Sequence, residues 1–116
     1  LSKNIPTRLF ITVGRPGAGK TTWISDHKKT DSLRYIYYDS TANDRIRRQE
    51  IISQARRHAN CIITLVYFDI DVEECVLRNR QRGNKAKIIS DEYIREFRID
   101  VPSVAEKFDE LLIVRN

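Results

Sequence analysis

The stretch RLFITVGRPGAGKTT, residues 8–22, constrains the fold more than any other part of the chain. A β-branched, apolar run from Arg8 to Val13 carries no polar alternation, so it reads as a strand buried on both faces. It breaks at Gly14 into a loop containing Gly17 and Gly19, and an amphipathic pattern resumes at Lys20. Gly14 to Thr21 fits G-x-x-x-x-G-K-[ST], the P-loop pattern, with the strand before it and the helix after it that the motif requires. At ordinary residue frequencies such a match arises by chance in roughly 0.4% of chains this long. Glycine lets consecutive backbone N–H groups turn inward and approach an anion with no Cβ in the way. The helix that follows points its positive dipole end at the same place. Lys20 adds a full charge for β- and γ-phosphates, and the Thr21 hydroxyl is placed to ligate Mg²⁺. The expected nucleotide-binding set is therefore Gly14, Arg15, Pro16, Gly17, Ala18, Gly19, Lys20, Thr21 and Thr22, with ATP and Mg²⁺ as ligands. Within it Pro16 stiffens the loop and Arg15 reads as plain surface.

The rest of the chain alternates strand and helix. RYIYY, Arg34 to Tyr38, predicts a second strand ending at Asp39. Thr41 is placed to cap a helix whose apolar stripe is Ala42, Ile46, Ile51, Ile52, Ala55 and Ala59. CIITLVYF, Cys61 to Phe68, is almost continuously apolar, as a central parallel strand should be. Asp71 caps a helix to about Arg82, with Glu74 in the capping-box position and Gly83 as its stop. Ser90 or Asp91 starts a short helix limited by Pro102, and Leu111 to Val114 reads as a last edge strand. The order β-α-β-α-β-α-α-β predicts an α/β fold: a three-layer P-loop kinase architecture, with a parallel sheet of about four or five strands, helices on both faces and a short helical lid.

Length and composition bound the rest. The 116 residues support one domain, 1–116, and 41% hydrophobic with 32% charged residues is ordinary for a globular chain. No apolar stretch approaches the ~18 residues needed to cross a bilayer, so no membrane partner is expected. Cys61 and Cys75 lack metal-site spacing and are expected to be core, with no disulfide partner, in a reduced cytoplasmic setting. The chain has no methionine and begins at Leu1, which predicts a segment of a longer protein. The net charge of +5 suits an anionic partner. Arg45, Arg47, Arg48, Arg56 and Arg57 fall on one predicted helix, and such a run reads by itself as a solvated face.

A P-loop specifies nucleotide and not reaction, so the catalytic candidates come from elsewhere. Lys20 acts on the phosphates. Asp39, ending a hydrophobic strand, is placed to face Mg²⁺ or the acceptor. Arg78 and Arg82, in the basic stretch that continues through Lys85 and Lys87, are placed to fold over bound triphosphate. The aromatic side chains of Tyr35, Tyr37 and Tyr38 read as packing, and His27, one helical turn after Trp23, as a half-buried packing residue.

GRPGAGKTTW, YDSTANDRIRR, VYFDIDVEECVLRNRQRG and VAEKFDELLIV together resemble the 5′-polynucleotide kinase family of P-loop kinases, in the same order and over most of the chain. The resemblance implies transfer of phosphate from a nucleoside triphosphate to the 5′-hydroxyl of a nucleic acid. By motif, it implies phosphate and Mg²⁺ binding by Lys20 and Thr21, an acceptor-side position for Asp39, and lid roles for Arg78 and Arg82. One departure stands out. The family has a further strand before the one matching RYIYY, carrying Asp and, three residues on, Arg. Here Asp31 and Arg34 have that spacing but no strand precedes them, so the chain is expected to lack a segment near residues 26–33. Two other readings stay open: a small-molecule kinase of similar design, and a nucleotide- or nucleic-acid-binding module with little catalysis.

Overall fold

The computed structural model describes residues 6–28, 34–38, 43–58, 60–82 and 88–115. Its elements follow the predicted order: β1 (Thr7–Val13), α1 (Lys20–His27), β2 (Tyr35–Tyr38), α2 (Arg45–His58), β3 (Cys61–Asp69), α3 (Val72–Arg80), α4 (Asp91–Glu96) and β4 (Glu110–Arg115). Every strand pair is parallel, in the order β2-β1-β3-β4. The chain is α/β, and its sheet has four strands among the described residues.

The pleat sorts the core into two clusters. Leu9, Ile11, Ile63 and Leu65 pack with Ile51 and Ile52 of α2 on one face. Val66 and Phe68, pointing the other way, pack with Ala18, with Cys75 and Val76 of α3 and with Ile94 of α4, and Phe10 and Trp23 lean against them. Helices therefore cover both faces. The chain leaves β1 toward β2 and then doubles back past β1 to β3. The crevice at the carboxyl ends of β1 and β3 is thus the topological switch point, where open α/β sheets hold ligands.

Local chemistry sets most element ends. Asp71 accepts from the Glu73 amide at 3.1 Å and caps α3, while Glu74 pairs with Arg78 at 3.3 Å and does not complete a capping box. Ser90 accepts from the Tyr93 amide at 3.1 Å and starts α4. The expected cap Thr41 lies outside the described residues, and α2 begins only at Arg45, behind Asp44 and later than a Thr41 cap would set it. At the start of α2, Asp44 accepts from the Ile46 amide at 2.8 Å, and Asp100 accepts from the Arg45 amide at 2.9 Å. α3 ends at Arg80, two residues short of the expected end, so Arg82 follows the helix and is not part of it.

The predicted face of α2 needs correction. Ile46, placed in the apolar stripe, is 70% exposed, whereas Arg48, placed on a solvated basic face, is fully buried. Residues 48, 51, 52 and 55 share the helical period, and 46 lies off it. Arg48 is tolerated there because Glu106 is buried opposite it: Nε donates to Glu106 Oε1 at 2.7 Å and Nη2 to Oε2 at 3.0 Å. Nη2 also donates to the Asp100 carbonyl at 2.6 Å. Arg56 likewise works in the structure, donating to the carbonyls of Cys61 and Lys107 at 2.8 Å each and pairing with Asp109 at 3.0 Å. The segment from Arg98 to Asp109 is laced to α2 in this way on its return to the sheet.

Candidate phosphate-binding site

β1 delivers the loop to the centre of the sheet edge. Gly17 and Gly19 hold φ of 84° and 99°, and they are the described residues with positive φ. A Cβ at Gly17 would lie 2.5 Å from the Cys75 carbonyl oxygen, so the loop can pass beneath α3 only with glycine there. Gly19 is the N-cap of α1 and offers no side-chain acceptor, and the first turn of α1 holds no acidic residue. No side chain of the cap or of an acidic first turn therefore competes with an anion for the start of α1. Lys20 Nζ donates to the carbonyl of Gly14 and, at 3.3 Å, to that of Arg15. The Arg15 carbonyl also accepts from the Ala18 amide at 3.1 Å, which closes the turn.

A cleft of about 600 Å³ opens in front of this loop. Pro16 through Trp23 and Asp26 from the loop and α1, Phe68 of β3 and Ile70 just after it, Arg78, Gln81 and Arg82 from α3 and the residues following it, and Val114 and Arg115 of β4 line it. The volume falls within the roughly 300–1,000 Å³ usual for small-molecule sites. Its lining combines apolar surface from Trp23, Phe68, Ile70 and Val114 with positive charge from Lys20, Arg78, Arg82 and Arg115, a composition suited to a ligand with both an apolar and an anionic part.

The predicted residues fall in different places. Lys20, Thr21, Thr22, Pro16, Gly17, Ala18 and Gly19 line the cleft, while Gly14 is buried at the end of β1 and contributes its carbonyl. Arg15 departs from expectation. It is half-buried, and its Nε is buried without a hydrogen-bond partner among the described residues. Arg78 braces the loop: Nη1 donates to the Ala18 carbonyl at 3.1 Å and Nε to Glu74 at 3.3 Å. Arg82 lines the cleft just beyond α3. Asp39, Asp31, Lys85 and Lys87 lie outside the described residues. His27 is exposed, but it does pack on Trp23, with ring centroids 4.1 Å apart and Nδ1 2.8 Å from the Trp23 carbonyl oxygen. Tyr35 and Tyr37 stack on Phe10, and Tyr38 packs against the α2 side of the core.

Both cysteines are buried and free. Burial pushes the Cys75 thiol up against the opposing pull of Arg15, Arg78 and Lys20, so it stays protonated beneath the loop. Among the described residues no group of three His, Cys, Asp or Glu side chains could hold a metal, and no helix is long and apolar enough to cross a membrane.

Sequence reasoning passed over Asp26, Gln81, Val114 and Arg115. The available signals were the helical period, which sets Asp26 one turn beyond Thr22, and the rule that ligands gather at the carboxyl ends of parallel strands. No protein-family model matches the chain, and no curated protein sequence matches it either.

Proposed function

We propose that the chain is a P-loop phosphotransferase that binds a Mg²⁺–nucleoside triphosphate, ATP in the first instance, and passes its γ-phosphoryl group to a hydroxyl, foremost the 5′-hydroxyl of a polynucleotide. One observation supports the nucleotide half: the glycine-bent loop, the start of α1 with no side-chain cap at Gly19, and Lys20 all line one cleft large enough for a nucleotide. In this reading Lys20 exchanges the carbonyls of Gly14 and Arg15 for phosphate oxygens. Backbone amides of the loop and α1 hold the phosphates without needing to reorganise. Thr21, exposed at the cleft, offers a hard hydroxyl oxygen, which suits a cation held mainly by the phosphates it accompanies. When bound, Mg²⁺ would neutralise negative charge on the triphosphate. Arg82 meets charge on the transferring group, and Arg78 keeps the loop in shape. The acceptor half, including Asp39, rests on the resemblance of the motifs to 5′-polynucleotide kinases.

Lys20→Ala removes the ammonium and leaves the backbone cradle. Calorimetry should then show Mg²⁺-ATP binding weakened by about 2–3 kcal/mol. Unchanged affinity would remove the nucleotide reading. Label from γ-phosphate should appear on the 5′-end of a short oligonucleotide carrying a 5′-hydroxyl. Label on a sugar or aminoglycoside alone would instead favour the small-molecule kinase, and ATP binding without transfer would favour the binding module.

A further inference from the structure

The cleft holds one group that phosphate binding does not explain. Among the described residues lining it, Asp26 is the one carboxylate, facing the same space as Lys20, Arg78, Arg82 and Arg115. A carboxylate repels the triphosphate, so beside a phosphate cradle it weakens binding unless it serves another part of the ligand. It does not serve the helix either. Asp26 sits in the last turn of α1, where the dipole disfavours negative charge, and no cation pairs with it among the described residues. Its place along α1 is informative. Six residues separate it from Lys20, roughly 9 Å along the axis, which carries it from the phosphate end toward where sugar and base would lie. Thr22, one turn before it, lines the same cleft, whose lining also includes the apolar side chains of Trp23, Phe68 and Val114.

We propose, building on the P-loop reading, that Asp26 is the specificity residue of the nucleotide site: its carboxylate accepts hydrogen bonds from a pair of adjacent donors on the nucleoside. An ionised carboxylate is acceptor-only and takes two parallel donors well. A nucleoside offers such a pair in the vicinal 2′,3′-hydroxyls of ribose and in the N1–H and N2–H₂ edge of guanine. Adenine offers only N6–H₂, flanked by ring-nitrogen acceptors that the carboxylate repels. The chemistry is the same for both sources, and the ligand panel separates them.

The test measures binding of inorganic tripolyphosphate, ATP, 2′,3′-dideoxy-ATP and GTP, each with Mg²⁺, to the wild-type chain and to Asp26→Asn. The side chain is exposed and asparagine nearly isosteric, and equal thermal midpoints confirm an intact fold. Tripolyphosphate, lacking a nucleoside, should bind both proteins alike or the variant slightly better. If Asp26 holds the ribose, ATP should lose about tenfold in the variant and fall to the level of the dideoxy analogue. If it reads guanine, the wild type should prefer GTP over ATP by about tenfold, and the variant should lose that preference. Parallel changes for all four ligands, or no change for any, would overturn the proposal while leaving the P-loop reading in place. Failure of the wild type to bind tripolyphosphate and nucleotides alike would overturn both.

Discussion

At the scale of single residues, the loop's two bent glycines are not equivalent. Gly17 combines φ of 84° with a virtual Cβ 2.5 Å from the backbone oxygen of Cys75, which cannot move without shifting α3. Gly19 has φ of 99°, but the nearest atom to its virtual Cβ is Arg78 Nη1 at 3.5 Å, the far end of a flexible side chain. Gly17→Ala therefore adds steric conflict to backbone strain, whereas Gly19→Ala meets strain alone. Urea denaturation should show Gly17→Ala destabilised by about 2–3 kcal/mol and Gly19→Ala by distinctly less. Equal losses would mean that the passage beneath α3 is looser than the geometry indicates. The motif alone calls for glycine at position 19 and leaves position 17 free. The need at 17 comes from a contact with residue 75, which lies far away in sequence and cannot be read from local spacing.

Among the elements, α3 has the most consequence for the site, because it roofs the loop and carries Arg78 to the Ala18 carbonyl. Its start depends on Asp71, and it is attached to α4 by the buried packing of Cys75 and Val76 with Ile94 and, at the surface, by ion pairs: Arg95 with Glu73, both nitrogen–oxygen distances 2.9 Å, and Arg80 with Asp91. Those pairs are exposed, so salt screens them and they add little. The cap is not screened in that way. Asp71→Ala should cost about 1 kcal/mol of stability at any salt concentration, and by loosening the roof it should weaken nucleotide binding more than stability alone explains. Thermal melts and calorimetry at low and high salt together check this. A loss confined to low salt would show that Asp71 acts through its charge on the helix dipole and not through the cap hydrogen bond. Capping residues and apolar periods made all eight elements legible in the sequence, since each rests on spacing within one segment. The end of α3 was misplaced because nothing local marks Arg80 as its last residue.

At the scale of the whole molecule, the parallel order was readable from alternating strands and helices, but the tie between α2 and the returning chain was not. Arg48 stands among other arginines and Glu106 in an irregular stretch, and 58 residues separate them. Only the folded sheet brings them together. Burial pushes the Glu106 carboxyl up, yet hydrogen bonds from Arg48 and from the Ser103 amide, at 2.8 Å, outweigh it and hold the group below its usual range. A carboxyl depressed in the folded state stabilises the fold fully above its unfolded value of about 4.3, and that contribution disappears as pH falls through the lower folded value. The wild type should accordingly hold its urea midpoint through neutral pH and lose it steeply below about pH 4. Glu106→Gln keeps the shape but leaves the Arg48 charge buried without its counterion, so at pH 7 it should lose about 3–5 kcal/mol. Its stability should then vary less than that of the wild type across the acid range, because the titrating group is gone. Arg48→Met combined with Glu106→Gln should recover part of the loss, since removing both charges leaves none stranded. Losses that simply add, or an acid slope unchanged in Glu106→Gln, would show that the buried pair does not hold α2 to the chain returning toward β4.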